Sequence, residues 1–76
     1  MSRKQQALIV GLGQFGRALA RTLASRGIEV IAVDVSETAV QMVADVVADC
    51  MVLDASSEAA LAQLEPQRRD LCVCTI

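Results

Sequence analysis

No histidine, tyrosine or tryptophan occurs in the chain, and lysine appears once, as Lys4. Hydride transfer from an alcohol or amine ordinarily needs His, Tyr or Lys as proton acceptor beside the cofactor, so these residues lack the means for a self-contained dehydrogenase. Long apolar runs are absent too, none exceeding six residues, far short of the roughly 18 that would suggest a membrane-spanning helix. Arg3 and Lys4 lead into Gln5, Gln6 and then four apolar residues before the first glycine, which is not the profile of a secretory leader and points to a cytoplasmic address. Seven Lys and Arg against nine Asp and Glu leave a net charge of −2. The cations are scattered instead of forming a stripe with interleaved aromatics, which argues against nucleic acid as a partner. There is no low-complexity linker and no internal repeat.

What the chain does have is apolar character: 54% of its 76 residues are hydrophobic, too many for a disordered segment. That length bounds it to one domain or part of one, with only about 60% of the unfolded surface buried on folding and marginal stability as the result. Cys50, Cys72 and Cys74 are odd in number and sit inside apolar runs, where free cysteines are expected as small buried hydrophobes in a reducing compartment. A metal pair at Cys72 and Cys74 is the competing reading, but it lacks the further ligands zinc requires.

Four short runs, residues 7–10, 30–33, 50–53 and 71–76, are nearly continuous and mostly rich in β-branched residues, as parallel strands covered on both faces should be. Between them, residues 15–25, 37–47 and 57–64 read as helices. The first turns Leu19, Ala20, Leu23 and Ala24 toward the sheet and Arg17 and Arg21 toward solvent, and Arg26 followed by Gly27 closes it. Ser36 can cap the second, with Glu37 near its positive end; Ser56 or Ser57 with Glu58 can do the same for the third, which Pro66 ends. Right-handed crossovers turn this β-α-β-α-β-α-β order into an α/β, Rossmann-like doubly wound parallel sheet of strand order 3-2-1-4. Sheets of this kind usually continue to a fifth and sixth strand, and an apolar edge such as LCVCTI is a liability. Residues 1–76 are therefore expected to be the N-terminal part of a longer domain, or to have that edge covered by another copy.

In ALIVGLGQFGRALARTL, residues 7–23, Gly11, Gly13 and Gly16 follow a strand and open a helix, the context that gives G-x-G-x-x-G its meaning. Gly11 permits the tight turn, Gly13 lets backbone approach a pyrophosphate, and Gly16 lets helix and strand lie close. Amides of the first helical turn, including those around Gln14 and Phe15, then face the phosphates with the helix dipole behind them. Asp34 ends the second strand, where a carboxylate accepts hydrogen bonds from ribose hydroxyls. It would repel the 2′-phosphate of NADP, with no arginine in the next thirty residues to offset it. NAD(H) or an adenine nucleotide is the expected ligand. Asp54 lies at the end of the third strand, where it could read an adenine edge with the Ala55 backbone or serve as a cap or turn residue. Phe15 is expected to pack at the helix start, Asp45 and Asp49 to be solvated, and Arg68, Arg69 and Asp70 to form a surface turn.

The combination GLGQFGR, VIAVD and VLDASSEAALAQL resembles the RCK/KTN regulatory domains of TrkA-N type, found in bacterial and archaeal potassium-uptake subunits and gated potassium channels. The resemblance spans nearly the whole chain and implies a domain that binds NAD(H), ATP or ADP, forms dimers and rings, and passes its ligand state to a membrane pore. By position it assigns Gly11, Gly13 and Gly16 to the phosphate loop, Asp34 to the ribose, and Asp54 with Ala55 to the adenine. Gln14 departs from relatives that carry an arginine there, and Leu53 from those with glycine. The implied function is a nonenzymatic nucleotide sensor, cytoplasmic and peripheral to the inner face of the membrane through a potassium transporter or channel subunit. The alternatives are the cofactor half of an NAD-dependent dehydrogenase, whose catalytic residues lie elsewhere, and a fragment that only folds and assembles.

Overall fold

In the computed structural model, which describes residues 5–54, 58–64 and 69–75, the strands are β1 Gln6–Val10, β2 Glu29–Asp34, β3 Asp49–Val52 and β4 Leu71–Cys74, and the helices are α1 Gln14–Ser25, α2 Glu37–Gln41 and α3 Glu58–Gln63. All pairings are parallel, in the order β3-β2-β1-β4, with Leu8 opposite Ile31 and Cys72, and Val33 opposite Met51. The expected Rossmann-like topology is therefore the observed one.

Strand geometry sends alternate side chains to opposite faces, and the core divides accordingly. Ile9, Val30 and Ala32 pack with Leu12, Ala20, Val40 and Val43 on the side of α1 and α2. Leu8, Val10, Ile31 and Val33 meet Leu64, just past α3, on the other. Both faces of β1 and β2 are thus covered, and each fully buried Leu, Ile or Val there contributes roughly 1.5–3 kcal/mol relative to exposure. Order 3-2-1-4 makes the chain cross from β3 past β1 to β4. The carboxyl ends of β1 and β4 thereby flank the point where the winding reverses, the usual place for a ligand crevice.

Helix ends follow from local residues. At the end of α1 the Gly27 amide donates to the Ala24 carbonyl (3.0 Å) and the Ile28 amide to the Leu23 carbonyl (3.2 Å), with Gly27 at φ 82°. This is a Schellman closure, and Ile28 and Leu23 both pack on the core beside it. Ser36 caps α2, its hydroxyl accepting from the Ala39 amide at 3.3 Å. The second helix, however, is shorter than its periodicity suggests. After Gln41 the amides of Val43, Ala44 and Val46 bond three residues back, to Val40, Gln41 and Val43, a tighter winding than an α-helix. Val43, Val46 and Val47, with Asp45, are weak helix formers, and Val43 is drawn fully into the core.

Other side chains also depart from expectation. Cys50 is half-buried against the core, but Cys72 and Cys74 are exposed, because β4 is an edge strand. Phe15 is exposed instead of packed. Arg17 is half-buried; its guanidinium meets the Met42 sulfur at 2.7 Å, and that of Arg21 donates to the Met42 carbonyl at 3.2 Å. Arg69 is likewise half-buried and donates to the Gln6 side chain and the Leu64 carbonyl, both at 3.0 Å. The Asp70 carboxylate accepts from the Gln6 amide at 2.7 Å. Asp70 is exposed, as a surface turn requires, and with Arg69 it also braces the start of β1. Asp45 and Asp49 are exposed as expected. Ser56, Ser57, Pro66 and Arg68 lie outside the described residues, as does Ala55.

Candidate functional site

The Gly11 amide still belongs to the sheet, donating to the Val33 carbonyl at 2.8 Å. Its φ of 97° then turns the chain out of β1, a conformation that carries little penalty only in glycine. Leu12 anchors the turn with a buried side chain, and its amide donates to Asp34 Oδ2 at 2.6 Å. Gly13 caps α1 without any side-chain hydrogen bond, and the first turn holds no acidic residue. Amides of that turn thus form a positive helix end that no carboxylate of the first turn compensates.

The two remaining glycine tasks separate cleanly. A Cβ on Gly16 would overlap the Gly11 carbonyl oxygen, so this glycine is what lets α1 lie against the end of β1. A Cβ on Gly13 meets nothing within 4 Å. Among the described residues the space over the backbone of the cap is therefore open, next to exposed Gln14 and Phe15.

Asp34 is the last residue of β2 and stands opposite Val52 in register. Its Oδ1 accepts from the Ser36 amide at 2.8 Å while Oδ2 takes the Leu12 amide. The Ser36 amide is the largest influence holding this carboxyl below the ordinary carboxylate range; partial burial opposes it, and the Leu12 and Val35 amides add to it. The group is ionised at neutral pH. Each of its oxygens offers two lone-pair directions, so some acceptor capacity remains beyond these amides. These residues fit a nucleotide: open backbone donors on one side, an anionic acceptor on the other, joined by one hydrogen bond. The Leu53 amide donates to the Asp34 carbonyl at 2.9 Å, bringing the chain toward Asp54, which is exposed two residues past β3.

Two contacts were not anticipated from residue types. The Leu12 amide makes Asp34 part of the loop instead of only its neighbour. The Thr75 hydroxyl, one residue past β4, donates to the Gly11 carbonyl at 2.7 Å.

A parallel sheet of order 3-2-1-4, with a glycine turn and a helix start at its reversal point, defines the Rossmann-like class. The family model for the TrkA-N domain matches residues 7–76, and the chain belongs to that family. It is 29% identical over 73 residues to the Ktr system potassium uptake protein C of Bacillus subtilis (strain 168), covering 96% of this chain and 33% of that protein. To the Ktr system potassium uptake protein A of Vibrio alginolyticus it is 32% identical over 72 residues, covering 95% and 33%. The chain thus spans about a third of the length of these curated relatives. None of its helices, among the described residues, is long and apolar enough to cross a membrane.

Proposed function

We propose that this domain is a nonenzymatic regulatory module that binds NAD(H) or an adenine nucleotide, ATP or ADP, and controls potassium transport through a membrane partner. The amides of Gly13, Gln14, Phe15 and Gly16, with the turn at Gly11, take the diphosphate. Asp34 takes the ribose hydroxyls, and Asp54 with Ala55 is assigned to contact the adenine. The observation that carries this reading is the 2.6 Å hydrogen bond from the Leu12 amide to Asp34, which keeps the sugar acceptor beside the phosphate donors. The potassium side rests on the family and on the names of the two relatives. Residues 1–76 are, on this reading, the N-terminal part of a domain that works in the cytoplasm as a homo-oligomer, peripheral to the membrane.

The chemistry is binding. Ionised Asp34 favours free hydroxyls and disfavours a 2′-phosphate, so NADH binds more tightly than NADPH. Regulation follows if the bound and free arrangements of paired domains differ in affinity for the nucleotide. Calorimetry with NADH, ADP and pyrophosphate tests this. Asp34→Ala also releases the Leu12 amide, so the diagnostic quantity is the ratio of ADP to pyrophosphate affinity, in which damage to the loop cancels. That ratio falls about tenfold or more, the worth of hydrogen bonds to a charged acceptor. An unchanged ratio removes Asp34 from the ribose site, absence of any nucleotide binding by the wild type removes the proposal, and hydride transfer with alcohols, amines or hydroxy acids removes its nonenzymatic part.

A further inference from the structure

Thr75 sits where β4 ends, across the sheet-reversal point from the glycine loop. Its amide donates to the Val10 carbonyl at 2.8 Å, continuing the β1–β4 ladder one step beyond Cys74. Its hydroxyl oxygen lies 2.7 Å from the Gly11 carbonyl and 3.5 Å from that of Val10. A threonine hydroxyl has one proton to give, and the shorter contact takes it. The same oxygen would stand 3.0 Å from a Cβ on Gly16. The Gly11 carbonyl is thus held between the start of α1 and the end of β4, at the residue whose φ of 97° sets the direction of the whole turn.

Fixing that carbonyl fixes the peptide plane it shares with the Leu12 amide, because the peptide group is planar. The Leu12 amide is the donor to Asp34. A hydroxyl contributed from 64 positions away in sequence therefore orients one peptide whose two ends face β4 on one side and the ribose acceptor on the other.

We infer that Thr75 is a positioning residue of the nucleotide site: its hydroxyl holds the Gly11–Leu12 peptide in the orientation that presents the phosphate loop, and so ties the loop to the chain leaving β4. The inference deepens the nucleotide-binding reading and rests on it for its affinity arm, but its amide arm needs no ligand.

The test uses Thr75→Val, which keeps the shape and removes the proton donor, and Thr75→Ser, which keeps the donor, both in the full chain. Amide NMR shifts of Gly11 to Gly16 are recorded without ligand, and affinities for pyrophosphate and ADP are measured by calorimetry. Thr75→Val should move the Leu12 and Gly13 amides and weaken pyrophosphate and ADP by the same factor, about tenfold for one hydrogen bond that preorganises the loop. Thr75→Ser should restore both. A merely structural contact would lower the melting temperature without this matched loss or its rescue. Unmoved loop amides in Thr75→Val, affinities equal to wild type, or a Thr75→Ser variant as impaired as Thr75→Val each overturn the inference. If the wild type binds neither ligand, the function proposed above and the positioning role both fail, while the amide shifts still decide whether the Thr75 hydroxyl orients the Gly11–Leu12 peptide.

Discussion

A methyl group added at Gly16 overlaps the Gly11 carbonyl oxygen and lies 3.0 Å from the Thr75 hydroxyl, whereas one added at Gly13 meets nothing within 4 Å. Gly13 also has ordinary extended dihedrals, φ −68° and ψ −169°, which alanine adopts without strain. Opposite outcomes follow for two substitutions in one loop. Gly16→Ala should cost about 3 kcal/mol or more, since backbone and not a yielding side chain must shift, enough to unfold much of so small a domain at room temperature. Gly13→Ala should leave stability within about 1 kcal/mol of wild type yet abolish measurable diphosphate binding, because its Cβ fills the space over the cap. Denaturant titration and calorimetry read the two effects apart; a Gly13→Ala protein that binds as wild type would mean that the phosphate lies elsewhere. The structural tasks of Gly11 and Gly16 were legible because each answers a local demand of a strand-turn-helix. Nothing marked Thr75, since a lone hydroxyl after a strand carries no periodicity and its partner is remote in sequence.

The first two helices end by different means, and the difference explains what the residue pattern could convey. Gly27 at φ 82° closes α1 by two hydrogen bonds, and replacing it with alanine forces a side chain into the left-handed region. Gly27→Ala should destabilise by about 1–2 kcal/mol, with Gly27→Asn less affected; thermal melts check both, and an alanine variant as stable as wild type would show that the turn relaxes. Arg26 with Gly27, and Ser36 with Glu37, were readable signals because a cap is written in the few residues that form it. The early end of α2 at Gln41 was not. Valines at 40, 43 and 47 fit a helical spacing, and only the pull of Val43 into the core, combined with poor helix formers after it, tightens the winding into turns. Cys72 and Cys74 misled for a different reason: their apolar run suggested burial, whereas the strand order already put that strand at an edge, where they are exposed.

Across the molecule, β1 and β2 are flanked by partners on both sides and buried on both faces, while β3 and β4 are edges. Leu8, Ile9, Val30 and Val33 are fully buried, whereas Val52 and Leu71 are about half exposed. Opening free energy should follow the same division. Amides of residues 7–10 and 30–33 are expected to exchange with solvent at least about 100-fold more slowly than those of 49–52 and 71–74, as measured by native-state hydrogen exchange; equal protection would mean that both rims are covered in solution. Sheet order and fold class were legible in full, because the apolar runs and the crossover rule leave few arrangements. The joining of Asp34 to the loop was not, since it depends on a hydrogen bond to backbone. That joint sits at the tips of the two strands least able to yield. Under the proposed function, a molecule arriving there meets a corner backed by the two buried strands, and its effect would leave through the rims, one of which carries Thr75 and its hydrogen bond to the Gly11 carbonyl.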